Sequence, residues 1–182
     1  DLSVKAAPSG APQAMARHAW AAAAARAGRA DEALGALDTA RQGLLAAGFA
    51  PTSLSVRRIQ LLAGRIQVRE GRAQAAQPVL QPLHDEPGDL PPAERVLVAE
   101  AWGCALTLSG RAAEARGAYQ AAVSQLGRAV GPDHPTRLRL AAQLALLDGP
   151  AAAAAALQSL AVALASDSPL HAVAITDCRA LL

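Results

Sequence analysis

Aromatic residues, lysine and asparagine are scarce in this sequence of 182 residues. Phenylalanine, tryptophan and tyrosine together make up 2% of the chain, asparagine does not occur, and all but one of the 17 basic residues are arginine. Because strands favour aromatic and β-branched side chains, this composition argues against a β-sandwich or a β-barrel. The formal net charge of +2 lacks the basic surplus of a dedicated nucleic-acid-binding protein, so we expect no nucleic acid among the partners.

Long apolar runs and paired cysteines are missing as well. No uninterrupted apolar run reaches the roughly 20 residues that span a bilayer, and no secretory signal is visible. We therefore expect no membrane insertion and favour a cytoplasmic location, although these observations leave the compartment open. Cys104 and Cys178 form no CxxC pair; we interpret both as small core residues, with a disulfide as the alternative.

Alanine and glycine, in contrast, are abundant and periodic. The chain has 49 alanines, and the triplet Gly-Arg-Ala recurs at near-regular spacing from residues 28, 71 and 110, followed by a related Gly-Pro-Ala from residue 149. The glycines that open these triplets are 43, 39 and 39 residues apart: Gly28, Gly71, Gly110 and Gly149.

Other positions keep the same register relative to these glycines. The small residues seven positions before them are Ala21, Gly64, Gly103 and Ala142. The alanines five positions after them are Ala33, Ala76, Ala115 and Ala154. The large side chains nine positions after the first three glycines are Leu37, Leu80 and Tyr119. Gln158 takes this place in the fourth unit, which has slipped or degenerated.

This spacing predicts a series of helical hairpins. A glycine between two helical runs supplies the left-handed conformation that ends one helix before the next begins. Small residues on either side of that turn let the helices approach closely, and the larger side chain fills the space between neighbouring pairs. One pair cannot bury its apolar face alone, so we expect four pairs to stack around a continuous core.

The pattern resembles the tetratricopeptide repeat (TPR) family over residues 13–165. The clearest match is in the third unit: Trp102, Gly103, Leu106, Gly110, Ala115, Tyr119 and Ala122. The period exceeds the family's usual length of about 34 residues. The phrase Gly131-Pro132-Asp133-His134-Pro135 is similar to the connector of the longer, kinesin-light-chain-like subclass. The resemblance implies an all-α, right-handed α-solenoid of about four helical hairpins plus a C-terminal capping helix.

The resulting domain prediction is a flexible N-terminal segment at 1–11 and a TPR-like superhelical domain at 12–182. Helices are predicted near 12–27, 30–47, 53–70, 72–84, 92–109, 111–129, 135–148 and 150–165, with a last one at about 169–182. Pro78 and Pro82 should bend or shorten the fourth helix. The predicted core residues are Leu34, Leu37, Leu80, Trp102, Leu106, Tyr119, Leu144 and Leu160.

No arrangement of residues in the sequence is typical of an enzyme. The four histidines are dispersed and belong to no zinc motif and no Ser/His/Asp set. The repeated Gly-Arg-Ala triplets do not match a phosphate-binding loop. We therefore predict no catalytic residues, no metal site and no cofactor, and we interpret His18 and His134 as packing and capping residues.

The resemblance implies a binding groove along the first helix of each pair, where members of the family commonly bind peptides or helices. It places the following residues on this inner face: His18, Arg26, Arg58, Leu61, Arg65, Arg69, Glu100, Cys104, Thr107, Arg139 and Gln143. Helical geometry independently puts Arg58, Arg65 and Arg69 on one face. Since arginine pairs bidentately with carboxylates, we expect an acidic or C-terminal segment as the ligand. A solvated charged face without a ligand is the alternative.

The lack of asparagine sets this chain apart from family grooves that hold the ligand backbone with asparagines, and it argues against a dicarboxylate clamp. We predict a non-catalytic protein–protein interaction module, a scaffold that binds a peptide or helix of a partner protein. One alternative is a regulatory or sensory segment of a larger bacterial signalling protein, such as a Ser/Thr kinase or a transcriptional activator. Arginine-rich composition, typical of high-GC bacteria, and Asp1 in place of a start methionine favour it. Another alternative is a homo-oligomerisation module that uses an exposed apolar end of the stack.

Overall fold

The structure is a computed structural model that describes residues 10–127, 130–131 and 134–165. These residues form eight helices: α1 (Ala11–Arg26), α2 (Ala30–Ala46), α3 (Leu54–Arg69), α4 (Ala73–Asp85), α5 (Pro92–Leu108), α6 (Ala112–Leu126), α7 (Pro135–Asp148) and α8 (Pro150–Ala165). No strand occurs in the described ranges. The prediction of an all-α fold is therefore confirmed.

The helix bounds agree closely with those predicted from the sequence. The largest difference is in α6, which ends at Leu126 because Gly127 adopts a positive φ of 52° there. The helix predicted at 169–182 and most of the N-terminal segment lie outside the described residues. His134 caps α7, since its Nδ1 accepts a hydrogen bond from the Thr136 N–H at 3.3 Å.

Three of the four hairpin turns share one geometry. Gly28, Gly71 and Gly110 have positive φ values of 78°, 70° and 74°. In each turn the N–H of the following arginine donates to a carbonyl five residues back, at 2.8 to 2.9 Å. This is the hydrogen bond that closes a helix after a left-handed glycine. The fourth turn differs, because Gly149 has a φ of 114° and a ψ of 176°.

The register positions on either side of the turns pack against each other. A Cβ placed on Gly64 would lie 2.5 Å from Leu80 Cδ2, and one on Gly103 would lie 2.6 Å from Tyr119 Cε1. No real side chain tolerates contacts this short, so the large residue of the second helix occupies the space that glycine leaves on the first. The alanines five residues after the first three glycines are fully buried.

The chain divides into two compact units, one holding α1–α4 and the other α5–α8. In the first unit, α2 packs against both α1 and α3, α3 also packs against α4, and α1 touches α3. In the second unit, α6 packs against both α5 and α7, and α7 packs against α8. Each unit thus contains two hairpins in which consecutive helices are neighbours.

Alanine contributes a large share of the core, as the composition suggests. Of the predicted core residues, five are buried: Leu37, Leu80, Trp102, Leu106 and Tyr119. Leu34 and Leu144 are half-buried, and the side chain of Leu160 lies outside the described set.

The prolines of α4 do not end the helix. Pro78 and Pro82 lie inside α4, which has 13 residues, and both side chains are exposed. Their shared orientation follows from their spacing of four residues. The carbonyls that lose their intrahelical partner therefore lie on the solvent side, where water replaces the missing donor.

Candidate partner-binding surface

The first unit contains six of the residues predicted to line the groove. They differ in exposure: Arg26 is exposed, His18, Arg58 and Arg65 are half-buried, and Leu61 is buried in the core. Arg58 and Arg65 lie two helical turns apart on α3, so they present their guanidinium groups along the same side of that helix. The half-buried stems and charged ends give this face of α3 an amphipathic character.

Arg69, the sixth residue, holds two first helices together. Its Nη2 donates a hydrogen bond to the carbonyl of Ala25 in the last turn of α1, and its Nε lies 3.8 Å from Glu70 Oε1. The last carbonyls of a helix lack intrahelical donors and carry partial negative charge, so an arginine is a suitable partner. Arg69 therefore fixes α3 against α1, a structural contact that the sequence did not indicate.

Arg57 directly precedes Arg58 in α3, but its side chain stabilises the fold. Its side chain is buried, its Nε donates to the Thr52 carbonyl at 2.9 Å, and its Nη1 donates to the Glu86 carbonyl. Gly88 approaches the guanidinium so closely that a Cβ there would lie 3.1 Å from Cζ. Arg57 thus ties the loop after α4 to the loop before α3. Neighbouring residues on a helix point in different directions. The position of Arg57 next to Arg58 was therefore a signal that the two arginines lie on different faces of α3.

Arginines at the hairpin turns form surface ion pairs. Arg72 Nη1 lies 2.5 Å from Asp31 Oδ1 and joins the second hairpin to the first. The hydrogen bond and the charge of Arg72 lower the pKa of the Asp31 carboxyl. Arg111 pairs with Glu114 three residues later in the same hairpin, and its hydrogen bonds lower the pKa of the Glu114 carboxyl. These pairs are exposed, so they contribute little to stability.

The second unit brings the remaining predicted residues together between α5 and α7. Arg139 makes a bidentate ion pair with Glu100: Nε donates to Oε1, and Nη2 donates to Oε2 at 2.7 Å. The two side chains are only 7% and 11% exposed. Two buried opposite charges with matched donors and acceptors stabilise each other, whereas either one alone would be costly.

A second polar cluster surrounds the hydroxyl of Tyr119 from α6. This oxygen lies 3.3 Å from each of three atoms, Cys104 Sγ, Thr107 Oγ1 and Gln143 Oε1. The Thr107 hydroxyl in turn donates to the Gly103 carbonyl at 2.9 Å. Burial, followed by the proximity of Cys104, raises the pKa of the Tyr119 phenol well above its ordinary value. The phenol is therefore neutral and acts as a hydrogen-bonding centre between three helices.

The repeat period itself was the signal for these contacts. Glu100 and Arg139 both stand ten positions before their glycines, and Cys104 and Gln143 both stand six positions before theirs. Residues at one register position of successive hairpins become neighbours when the hairpins stack. Sequence reasoning placed the four residues on one face but did not pair them.

The described residues offer few options for other chemistry. They contain no group of three or more His, Cys, Asp or Glu side chains that could hold a metal ion. None of the described helices combines the length and the apolar character needed to cross a membrane.

Comparison with known proteins adds no assignment. A scan of protein-family models, a search of curated proteins and a search of solved structures each find no match to this chain. The resemblance to the TPR family therefore stands on the residues that carry it.

Proposed function

We propose that this chain is a non-catalytic protein–protein interaction module, a TPR-like right-handed solenoid that binds a peptide or helix along its first helices. The observation that carries the proposal is the contact between successive first helices in each unit. Arg69 of α3 holds α1, and Arg139 of α7 holds α5 through Glu100. Polar side chains fix these helices side by side, which is the arrangement that a shared binding face requires.

The ligand class follows from the charges on this face. In the first unit the predicted groove positions comprise one histidine, one leucine and four arginines, and none of them is acidic. Arg69 contacts the α1 carbonyl, and Arg26, Arg58 and Arg65 are the other cationic groups at these positions. Guanidinium groups bind carboxylates through paired hydrogen bonds. An acidic peptide, or one with a free C-terminal carboxylate, is the partner that this face fits.

The groove is tested with a library of displayed peptides that have free C-termini, followed by fluorescence anisotropy on the selected sequences. We expect enrichment of acidic residues and an affinity that weakens at high salt. Arg58→Glu/Arg65→Glu should weaken binding at least tenfold, a loss of about 1.4 kcal/mol. This pair of substitutions leaves the Arg69 contact intact.

A matched control is available on the second helices. Arg41→Glu/Arg111→Glu makes the same change in net charge at a half-buried arginine of α2 and at the exposed arginine before α6, whose partners are surface carboxylates. It should bind the selected peptides as the parent does. Equal losses of peptide affinity in both variants would show that overall charge, and not the groove, causes the effect. Selected peptides without enrichment of acidic residues would rule out the proposed ligand class.

A further inference from the structure

The outward face of α1 is apolar, although it opposes the buried face of the same helix. With 3.6 residues per turn, Met15 and Trp20 lie about 140° apart around the helix axis. Four small residues, Pro12, Ala16, Ala19 and Ala23, lie between them on the helix surface together with Arg26 in the last turn, and all five are exposed. Met15 is 48% exposed and Trp20 45%. We call this strip of small residues between two large side chains the α1 groove.

Trp20 stands out further when its register is considered. It lies eight positions before Gly28, and Trp102 lies eight positions before Gly110. Trp102 is only 7% exposed. The guanidinium of Arg29 lies 5.6 Å from the centre of the Trp20 ring and holds it on the surface. Exposed tryptophan, methionine and arginine are the residue types that concentrate at binding hot spots.

The helix contacts inside each unit indicate which kind of element this groove lacks. The first helices α3 and α7 each pack between two second helices, α2 and α4 in one unit and α6 and α8 in the other. Among the described residues α1 packs mainly against one second helix, α2, as α5 does against α6. The missing neighbour of α1 is thus a second helix of the kind that precedes α3 and α7.

Helix α8 is a second helix that has a first helix as its neighbour on one side and not on the other. Helices α2 and α6 each lie between two first helices, whereas α8 packs mainly against α7 among the described residues, as α4 does against α3. No residue of α8 is ionisable, so covering it desolvates no charge. Its exposed side carries Ala151, Ala154, Gln158 and Val162, the last of them 68% exposed. Small side chains with one projecting valine suit the alanine floor and the large walls on α1.

We infer that α8 of one copy of this chain docks on the α1 groove of a second copy, head to tail. The interface repeats the contact between a second helix and the next first helix that α2–α3 and α6–α7 already make. It is heterologous, so an assembly keeps one free groove at one end and one free α8 at the other, and it grows with concentration. The inference does not depend on the peptide groove, and Arg58→Glu/Arg65→Glu should leave assembly unchanged.

Sedimentation velocity and light scattering on the full chain, up to about 1 mM, test the assembly. The parent should rise in mean mass above the 18.4 kDa of the monomer as concentration increases. Trp20→Glu and Val162→Glu should each stay monomeric, because each removes one half of the contact. A mixture of the two variants should form a dimer of twice the monomer mass, since it restores one complete α8–α1 interface.

The other outcomes overturn the inference. A parent that is monomeric at every concentration excludes self-association. This result is also the one expected if residues 166–182 of the same chain cover α8. Assembly of either single variant alone indicates a contact between two identical faces. A mixture that stays monomeric excludes the head-to-tail pairing. Circular dichroism checks that the variants fold, and Met15→Glu with Gln158→Glu provides a second pair on the same faces. Leu108→Glu, at an exposed leucine of α5, is the matched control and should assemble as the parent does.

Discussion

Gly103 matters because the ring of Tyr119 occupies the space that a side chain would take. A Cβ at this position would approach Tyr119 Cε1 to 2.6 Å and Cδ1 to 2.8 Å. The ring lies in a packed core, so it has no room to retreat without separating α5 from α6. Gly103→Leu should therefore lower the free energy of unfolding by at least about 3 kcal/mol, at the upper end of what overpacking costs.

Thermal and urea unfolding followed by circular dichroism measures this loss. Gly117→Ala in α6 is the control, because nothing lies within 4 Å of a Cβ placed there. It should stabilise the chain by about 0.5–1 kcal/mol, the difference between alanine and glycine in a helix. An unchanged melting curve for Gly103→Leu would refute the packing at this position.

Tyr119 makes stability depend on pH in the alkaline range. Its pKa is raised above the ordinary 10.0 by burial, so the folded chain keeps the proton when the unfolded chain loses it. Stability from this group is fully present below pH 10 and is lost as the pH rises through the folded pKa. Above pH 10 the free energy of unfolding should fall by about 1.4 kcal/mol per pH unit.

The sequence has a single tyrosine, which makes this titration easy to observe. Phenolate absorbance should be absent from the native protein at about pH 11 and appear in denaturant with a midpoint near pH 10. Above pH 10 the free energy of unfolding should fall less steeply in Tyr119→Phe than in the parent. The difference between the two slopes is the contribution of the phenol. A native midpoint near pH 10 would mean that the phenol is solvated.

Single residues are also where sequence reasoning was least complete. The register located the glycine and the large side chain that meet it, because close packing constrains size at both positions. It did not reveal the role of Arg57, because charge alone does not show whether an arginine binds a carbonyl of its own chain. The roles of Arg57 and Arg69 depend on loops and helix ends whose positions only the structure gives.

At the scale of helices, the sequence was sufficient because the turns are strongly marked. Glycines with positive φ and prolines in first turns determine where helices end and begin, and both are visible in the sequence. Helix α4 was less certain, because its prolines predicted a bent or shortened helix. It has 13 residues and continues through both prolines, whose side chains lie on the solvent side.

Pro78→Ala should stabilise α4. Alanine restores the N–H that can donate to the Gln74 carbonyl, and proline costs about 3 kcal/mol relative to alanine inside a helix. Part of this gain is offset because the unfolded chain becomes more flexible. We expect a net increase of about 1–2 kcal/mol in the free energy of unfolding, measured by urea denaturation.

Pro92→Ala is the control, since Pro92 is the first residue of α5, where no N–H is needed. It should give no gain. A Pro78→Ala variant no more stable than the parent would indicate that the Gln74 carbonyl already has another donor.

At the scale of the whole molecule, the packing seen in one hairpin predicts the packing at the equivalent positions of another. In the second hairpin Leu80 lies over Gly64, as Tyr119 lies over Gly103 in the third. In the first hairpin the equivalent residues are Ala21 and Leu37, which are both buried in the same core cluster. Glycine leaves room for an aromatic ring and alanine does not. The size of the small residue should therefore decide which large residue each hairpin accepts.

Leu80→Phe should thus be tolerated within about 1 kcal/mol, whereas Leu37→Phe should cost about 1–3 kcal/mol through overpacking. The double variant Ala21→Gly/Leu37→Phe should recover part of that cost, because it recreates the pair of the third hairpin. Urea denaturation of the three variants gives these differences directly, and the single Ala21→Gly variant supplies the fourth corner of the cycle. Equal costs at Leu37 and Leu80, or no coupling between Ala21 and Leu37, would mean that the hairpins share a sequence pattern without sharing its packing.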